Sequence, residues 1–220
     1  MHIVLIAPSR SGHSWTANML SSWLPNDKIH KFEGIPPCLY KARVNINVWQ
    51  GNKPKKDQPV IPILQVRDFL NYSASLIKHL INNHNARESR FAGLTDVWMD
   101  VTREAFNDTQ FIENKHIIYY DQFVENEAYR RAICRLLEGE YNEEKIDKVP
   151  MNGPGSSFDK YQFNERGSQM KVLDRWKWFL TKEGETYIPF LRARKNIVEY
   201  YLKHFELKPE QSELAIYILK

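Results

Sequence analysis

A short polar stretch, residues 8–15, carries residue types that could bind an anion. It reads Pro-Ser-Arg-Ser-Gly-His-Ser-Trp and follows an apolar, β-branched run at residues 3–7 that predicts a buried strand. A helical pattern starts near Trp15. Backbone N–H groups at a helix N-terminus, serine hydroxyls and the Arg10 guanidinium are the parts of an anion cradle. The same residues would equally suit a simple capped turn, with Ser11 as N-cap and Arg10 exposed.

The loop does not have the pattern of an ordinary ATP-binding loop. The Walker A sequence GxxxxGK[ST] needs two glycines at fixed spacing and a lysine after the second. Here Gly12 is the only glycine in the loop, and His13 follows it. An ordinary ATPase or kinase is therefore disfavoured.

The elements that must position this loop alternate between strand and helix along the chain. Periodicity predicts strands at residues 3–7, 60–66 and 116–120, and helices at residues 15–23, 68–83, 95–106 (with Thr95 as N-cap) and 129–137. Residues 26–59 are expected to be irregular because prolines interrupt any period, and residues 170–180 and 187–204 are expected to form closing helices. The alternation predicts an α/β/α three-layer fold with a mostly parallel central sheet, whose ligands lie beyond the carboxyl ends of the strands. Residues 1–220 are expected to form a single domain.

The loop resembles one found in sulfotransferases that use 3′-phosphoadenosine 5′-phosphosulfate (PAPS). Their 5′-phosphosulfate loop reads PKSGTTW in cytosolic members and RSGSS or RSGTT in many carbohydrate and tyrosyl-protein members, and here the stretch is RSGHSW. The resemblance implies a P-loop-type α/β fold. It also implies that Arg10, Ser11, Gly12, His13 and Ser14 bind the 5′ end of PAPS.

A second motif of that family is an arginine that ends a strand, with a serine eight residues later in the next helix. Arg67 and Ser75 in VRDFLNYSAS have this spacing, and the resemblance assigns them to the 3′-phosphate. The alternative is that Arg67 and Asp68 form a surface ion pair, which would contribute little stability.

Aromatic residues at three further positions are similar to those around the adenine of PAPS in the family. The stretch IIYYDQFVENE implies that Tyr120 lies against the adenine, and the stretch SSF implies that Ser156 and Phe158 flank it, with Trp15 on the same base. An aromatic face stacks on a purine, while hydroxyls hydrogen-bond to its edge. Taken one by one, such aromatics are more often core residues.

The sequence departs from the family at the motif that closes over the 3′-phosphate. Cytosolic members have RKGxxGDWK, whereas residues 169–177 read QMKVLDRWK and match only at Trp176-Lys177. Lys171 or Arg166 are the candidates to cover the 3′-phosphate. The RWKWFL stretch is nonetheless similar to the C-terminal pattern of many bacterial and Golgi-type members.

The resemblance implies sulfuryl transfer from PAPS to a hydroxyl of a carbohydrate or small-molecule acceptor. Arg10 would supply the cation at the leaving oxygen, and the acceptor hydroxyl needs a base within hydrogen-bond reach. The segment after the first helix offers His30 and Glu33, and the similarity of Phe32-Glu33 to an FEP pattern favours Glu33. His13 is a further candidate acid or base.

Composition excludes several other classes of protein. The content of 42% hydrophobic and 26% charged residues excludes a disordered chain, and a net charge of +4 is too small for a nucleic-acid groove. No apolar run approaches the roughly 18 residues that span a bilayer, and the N-terminus has no signal-peptide pattern. Cys38 and Cys134 have no metal-ligand spacing, so the expectation is a cytoplasmic protein with free thiols and no metal.

Two other functions remain open from the sequence. One is a nucleotide or small-molecule kinase with a degenerate P-loop, although the Walker lysine and an evident Mg²⁺-binding aspartate are missing. The other is a non-catalytic, sulfotransferase-like protein that binds a nucleotide without turnover. The sequence does not specify the oligomeric state.

Overall fold

The chain forms two compact units, each made from two separate stretches of sequence. A computed structural model describes residues 2–24, 29–33, 60–148, 158–159, 163 and 166–220. The first unit comprises Met1–Val66 and Val97–Met170, and the second comprises Arg67–Asp96 and Lys171–Lys220. The expectation of a single domain over residues 1–220 stays a prediction.

A parallel sheet lies in the first unit. Its strands are β1 (His2–Ala7), β2 (Ile29–Glu33), β3 (Val60–Val66) and β4 (His116–Tyr119). They are arranged in the order β2-β1-β3-β4, and every pairing is parallel. Side chains that alternate between the two sheet faces are buried on both, Ile3, Leu5 and Ile63 on one and Val4, Ile6 and Leu64 on the other. The predicted α/β class is confirmed, and both faces are buried as a three-layer arrangement requires.

Helices follow the strands. In the described residues they are α1 (His13–Trp23), α2 (Phe69–Asn82), α3 (Glu88–Ala105), α4 (Tyr120–Glu125), α5 (Glu127–Leu136), α6 (Lys182–Glu185), α7 (Ile188–Arg192), α8 (Lys195–His204) and α9 (Pro209–Leu219). Two 3₁₀ helices, Gly167–Gln169 and Arg175–Leu180, precede α6. None of these helices is both long enough and apolar enough to cross a membrane.

The core of the first unit packs one face of the sheet against α1, α4 and α5. Its buried members are Ile3, Leu5, Ala17, Met19, Leu20, Trp23, Ile63, Ile118, Phe123, Ile133, Cys134 and Leu137. The helical spacing predicted for Met19, Leu20 and Trp23 therefore reflects a buried face. Burying each large apolar side chain contributes about 1.5–3 kcal/mol before the entropic cost of ordering it.

Pro62 lies inside β3, an internal strand, where a residue without an N–H is unusual. The register limits its cost on one side of the strand. β4 pairs with β3 only from Ile63 onward, while Pro62 is opposite Val4 of β1. The missing N–H therefore costs no hydrogen bond on the β4 side.

Two predictions from the sequence are wrong. One concerns residues 29–33, before β3, and the other concerns the role of Thr95 in α3. Residues 29–33 form β2, although residues 26–59 were expected to be irregular. As an edge strand, β2 pairs only with β1 and needs no apolar alternation. Thr95 is not an N-cap but lies inside α3, where its hydroxyl donates to the carbonyl of Phe91 at 3.1 Å.

The C-terminal part also differs from the expectation. Residues 175–180 form a 3₁₀ helix rather than part of an α-helix, and its buried residues are Arg175, Trp176, Trp178 and Phe179. Residues 187–204 are two helices, α7 and α8. Helix α9 was missed altogether, although Pro209 marks its first turn.

The second unit is built around α2, whose residues from Phe69 to Ile77 are all buried. Asp68 caps this helix by accepting a hydrogen bond from the backbone N–H of Asn71 at 2.7 Å. Aromatic pairs fill the surrounding core, including Phe69 with Tyr201 and Trp178 with Tyr187. A helix buried on every side must satisfy its polar groups internally.

A buried carboxylate fixes the connection between α3 and β4. Glu104 is fully buried and accepts hydrogen bonds from the Thr109 hydroxyl, the Lys115 ammonium and the backbone N–H groups of Phe111 and Ile112. Burial alone would raise the pKa of the Glu104 carboxyl, but these donors outweigh burial and hold that pKa below its usual value of 4.5. The ionised form is therefore stabilised by the fold.

We expect Glu104→Gln to destabilise the protein by about 3 kcal/mol at pH 7, because it leaves the Lys115 charge without its buried partner. The pKa of Glu104 is lower in the folded protein than in the unfolded chain. Its stabilisation is therefore complete above about pH 5 and is lost as the pH falls through the folded value. Urea unfolding between pH 3 and pH 7 measures both effects.

The control is Glu113→Gln, because Glu113 is exposed in the same connection. This change is expected to alter the free energy of unfolding by less than about 0.5 kcal/mol. If the stability difference between wild type and Glu104→Gln does not shrink in acid, Glu104 is not the group that the fold keeps ionised.

Candidate functional site

The loop between β1 and α1 has two residues in the left-handed backbone region. Arg10 has φ 69° and Gly12 has φ 89°, and the Ser11 N–H donates to the Pro8 carbonyl at 3.2 Å. Glycine adopts this region freely, whereas for arginine it is uncommon and costs roughly 1 kcal/mol or more. Strained residues of this kind cluster at ligand-binding and active sites, so Arg10 beside a helix N-terminus marks this loop as a candidate site.

The N-terminus of α1 is capped by Gly12 and not by a side chain. The N–H groups of Trp15 and Thr16 both donate to the Gly12 carbonyl, and the first turn contains no acidic residue. Ser11 is fully buried, and its hydroxyl finds no hydrogen-bond partner among the described residues. The alternative of a turn capped by Ser11 is therefore wrong.

The first N–H groups of a helix have no acceptor within it, and the helix dipole adds positive potential at this end. In α1 these groups include the N–H of Gly12 and that of Ser14. The side chain of His13, which is 7% exposed, lies beside them with its Nε2 atom 3.3 Å from the Ser14 hydroxyl. The loop thus presents N–H groups and a hydroxyl of the kind that bind phosphate or sulfate oxygens.

Tyr120 forms one wall of this loop. A Cβ atom on Gly12 would lie only 2.3 Å from Cε2 of the Tyr120 ring, so the ring packs directly against the glycine. Tyr120 is 4% exposed and meets the Trp15 ring edge to face, with 6.2 Å between centroids. The predicted adenine-binding residues Tyr120 and Trp15 are therefore neighbours of the loop between β1 and α1.

Helix α1 is tied to the segment that follows α5. The Trp15 indole N–H donates to the Ile146 carbonyl at 3.0 Å, and the Trp23 indole N–H donates to the Asn142 carbonyl at 2.8 Å. Asn142 donates back to the Ser22 carbonyl at 2.7 Å. The bond to the Ile146 carbonyl holds the ring of the half-buried Trp15. Phe158 is half-buried as well, and Ser156 lies outside the described residues.

The two candidate bases differ in their backbone position along β2. Glu33 pairs with Ala7 at the carboxyl end of β1, next to the start of the loop, whereas His30 pairs with Val4 in mid-strand. Three residues of strand separate them by about 10 Å. The backbone of Glu33 is therefore the nearer of the two to the loop between β1 and α1.

Arg67 and Ser75 belong to the second unit and are both buried. Arg67, 1% exposed, donates from Nη2 to the Val172 carbonyl at 2.9 Å. Ser75, 2% exposed, donates to the Asn71 carbonyl at 2.9 Å and accepts from Nη1 of Arg175 at 3.0 Å. The alternative that Arg67 and Asp68 form a surface pair is wrong, because both are buried.

Arg175 was missed by the reasoning from sequence. It is 7% exposed and contacts the serine predicted to bind the 3′-phosphate, whereas the predicted covering residues Lys171 and Arg166 are exposed. The signal was available, since Arg175 is the first residue of the RWKWFL stretch. The backbone N–H of Trp176 donates to the Asn71 side chain at 3.1 Å, which holds the same segment on α2.

Asp68 organises the polar interior of the second unit. Its carboxylate accepts hydrogen bonds from the Tyr201 hydroxyl and, at 3.1 Å, from the Gln211 amide, in addition to the Asn71 N–H. Burial raises the pKa of this carboxyl, while these donors and the nearby Arg67 charge lower it, and burial is the larger effect. Arg67 therefore lies close to a carboxyl group at the start of α2.

Gln65 is a second residue that the sequence reasoning missed. It is fully buried in β3, and its amide nitrogen donates to the carbonyl of Ser11 in the loop at 2.7 Å. The signal was a polar residue in the otherwise apolar run VIPILQV. A buried amide in the middle of a sheet needs such a partner.

In comparisons with known proteins, no family model, no curated protein and no solved structure matches the chain. Among the residues that the structure describes, no group of three His, Cys, Asp or Glu side chains could hold a metal ion.

We expect Gly12→Ala to destabilise the protein by about 2 to 4 kcal/mol, through backbone strain at φ 89° and overlap with the buried Tyr120 ring. Thermal unfolding followed by circular dichroism measures the change. Gly93→Ala is the matched control, because a Cβ at this exposed position in α3 meets nothing within 4 Å. It should stabilise the protein by about 0.5–1 kcal/mol. Equal effects of the two changes would contradict the close packing of Tyr120 on the loop.

Proposed function

We propose that this protein is a sulfotransferase that moves the sulfuryl group of PAPS to a hydroxyl of a carbohydrate or small-molecule acceptor. The observation that carries the proposal is the loop between β1 and α1. It follows a strand buried in a parallel sheet, has Arg10 and Gly12 in the left-handed region, and leads into a helix whose N-terminus no side chain caps. These features suit a phosphosulfate, and the loop sequence is the part that most resembles the family.

In the proposed reaction the acceptor oxygen bonds to sulfur as the bond from sulfur to the 5′-phosphate oxygen breaks. The acceptor proton passes to a base, and the second product is adenosine 3′,5′-bisphosphate. Arg10 would neutralise charge at the leaving oxygen, and the Ser14 hydroxyl with the N–H groups of Gly12 to Ser14 would bind the 5′-phosphate. The buried, unpartnered Ser11 hydroxyl is a further polar group at this place.

Glu33 is the proposed base, because its backbone stands at the carboxyl end of β2, beside the strand that leads into the loop. His30 is the alternative, and His13 a further one. A carboxylate that takes a proton from the acceptor acts only in the transfer step, so its loss leaves nucleotide binding intact.

The prediction for the base compares Glu33→Gln with His30→Gln. We expect Glu33→Gln to lower the rate of sulfate transfer from radiolabelled PAPS by about 100-fold or more, with unchanged affinity for adenosine 3′,5′-bisphosphate. The measurements are transfer to a panel of acceptors and calorimetric titration of the nucleotide. Loss of transfer in His30→Gln alone would assign the base to His30.

The 3′-phosphate is proposed to bind at Arg67 and Ser75, with Arg175 in place of the missing RKG motif. The hydrogen bond from Arg175 to Ser75 supports this addition, because it joins a second buried guanidinium to the predicted serine. Two arginines and a hydroxyl are a suitable set of donors for a phosphate dianion. Both arginines also bond within the protein, so the competing role for this cluster is to hold the segment around Val172 on α2.

The prediction that separates these two roles uses Ser75→Ala. We expect it to weaken binding of adenosine 3′,5′-bisphosphate about tenfold, the effect of one hydrogen bond to a charged group, with no change for adenosine 5′-phosphate. Calorimetry with both nucleotides measures the ratio. Arg67→Ala should act in the same direction and more strongly.

Ser73→Ala is the matched control on the same helix. Ser73 is also fully buried, and its hydroxyl has no hydrogen-bond partner among the described residues. It should leave both affinities unchanged. If Ser75→Ala alters the thermal stability and neither affinity, the cluster is structural and the 3′-phosphate assignment fails.

The competing functions give different results in the same assays. A kinase with a degenerate P-loop would bind ATP with Mg²⁺ more tightly than PAPS, and a non-catalytic binding protein would bind the nucleotide without transfer to any acceptor. The proposal includes a cytoplasmic location, for which the support is that Cys134 is a buried free thiol. It includes neither a nucleic-acid nor a membrane partner.

A further inference from the structure

The buried amide of Gln65 is the polar group that the described site leaves without a role. Gln65 and Ser11 are both without solvent exposure, and the Gln65 Nε2 atom donates to the Ser11 carbonyl at 2.7 Å. The other end of the same amide, Oε1, has no hydrogen-bond partner among the described residues. An amide oxygen buried without a hydrogen-bond partner lowers the stability of the folded protein, so an apolar residue would be more favourable than Gln65 at this buried position in β3.

The peptide between Ser11 and Gly12 links this bond to the anion site. The described chain has no cis peptide bonds, and in a trans peptide the C=O and the N–H of the same plane point in opposite directions. The Gln65 amide holds the Ser11 carbonyl toward β3. The N–H of Gly12 must therefore point away from β3.

Two further contacts restrict the same peptide. The φ of Gly12 is 89°, and the Tyr120 ring lies where a Cβ on Gly12 would be. The Gly12 carbonyl accepts from the N–H groups of Trp15 and Thr16, which places it in the first turn of α1. The Ser11 carbonyl has no such helix partner, so without Gln65 this peptide plane could rotate and turn the Gly12 N–H away from a ligand.

We propose that Gln65 is a positioning residue, which holds the Ser11–Gly12 peptide so that the Gly12 N–H donates to an oxygen of the bound phosphate. For the 5′-phosphate of PAPS this rests on the proposed function. The role proposed for Gln65 requires only that an anion binds at the loop. Gln65 acts through the backbone and does not touch the ligand.

The test is Gln65→Met, which keeps the length and approximate volume of the side chain but removes the amide. We expect an affinity for adenosine 3′,5′-bisphosphate about tenfold lower than that of wild type. Thermal stability does not decide the role, because the change removes the unpartnered Oε1 and also leaves the buried Ser11 carbonyl without its donor. A purely structural role would leave the affinity of the folded protein unchanged. Adenosine 3′-phosphate, which has no 5′-phosphate, should bind both proteins equally.

Inorganic pyrophosphate separates this proposal from the proposed function. If wild type binds pyrophosphate but not adenosine 3′,5′-bisphosphate, the sulfotransferase proposal fails, and the pyrophosphate affinity of Gln65→Met decides the role of Gln65. If wild type and Gln65→Met bind such a ligand with equal affinity, the role proposed for Gln65 fails. If wild type binds neither adenosine 3′,5′-bisphosphate nor pyrophosphate, both proposals fail.

A measurement on the wild-type protein covers the case in which Gln65→Met does not fold. In a ¹⁵N-labelled sample titrated with pyrophosphate, the amide proton of Gly12 should move to lower field as it forms a hydrogen bond to the anion. The amide proton of Trp15 is the internal control, because it already donates to the Gly12 carbonyl at 3.0 Å. If the Gly12 resonance stays in place while the ligand binds, the peptide orientation proposed here is wrong.

Discussion

The pairing of β1 on both of its edges is the constraint on which the candidate site depends. β1 pairs in parallel with β2 on one side and with β3 on the other, and from Ile3 to Ala7 its side chains are buried. A strand held in this way cannot shift its register without breaking the hydrogen bonds on both of its edges. The loop after Ala7 therefore starts at a fixed point.

The loop is then held by few but well-defined interactions. Gln65 binds the carbonyl of Ser11, the Tyr120 ring packs on Gly12, and the first turn of α1 uses the Gly12 carbonyl. Each acts on the backbone and not on the side chains that would meet a ligand. The protein itself therefore orients the backbone N–H groups of the loop, and preorganisation of this kind lowers the entropic cost of binding a ligand.

The second unit differs in that it buries charged side chains. Arg67 is 1% exposed and Arg175 is 7% exposed, in a region where Asp68 is the carboxylate that caps α2. Burial opposes ionisation of Asp68 and raises its pKa, and hydrogen bonds from Tyr201 and Gln211 act against that effect. Such a cluster is costly as packing alone, since apolar residues of similar volume often serve as well. Its cost is consistent with a role in binding.

The sequence by itself determined the alternation of strands and helices, because apolar periodicity reports which side chains must be buried. It also placed a polar loop between a buried strand and a helix N-terminus, since a serine-rich turn at that position follows from the residue pattern alone. It could not predict β2, which is an edge strand with little apolar pattern, nor the 3₁₀ helix at residues 175–180. Only the tertiary structure decided that Gly12 caps α1, that Tyr120 packs on it, and that Gln65 and Arg175 contact Ser11 and Ser75. These contacts join residues 54 to 108 positions apart in the sequence, and no local pattern encodes a partner at that distance.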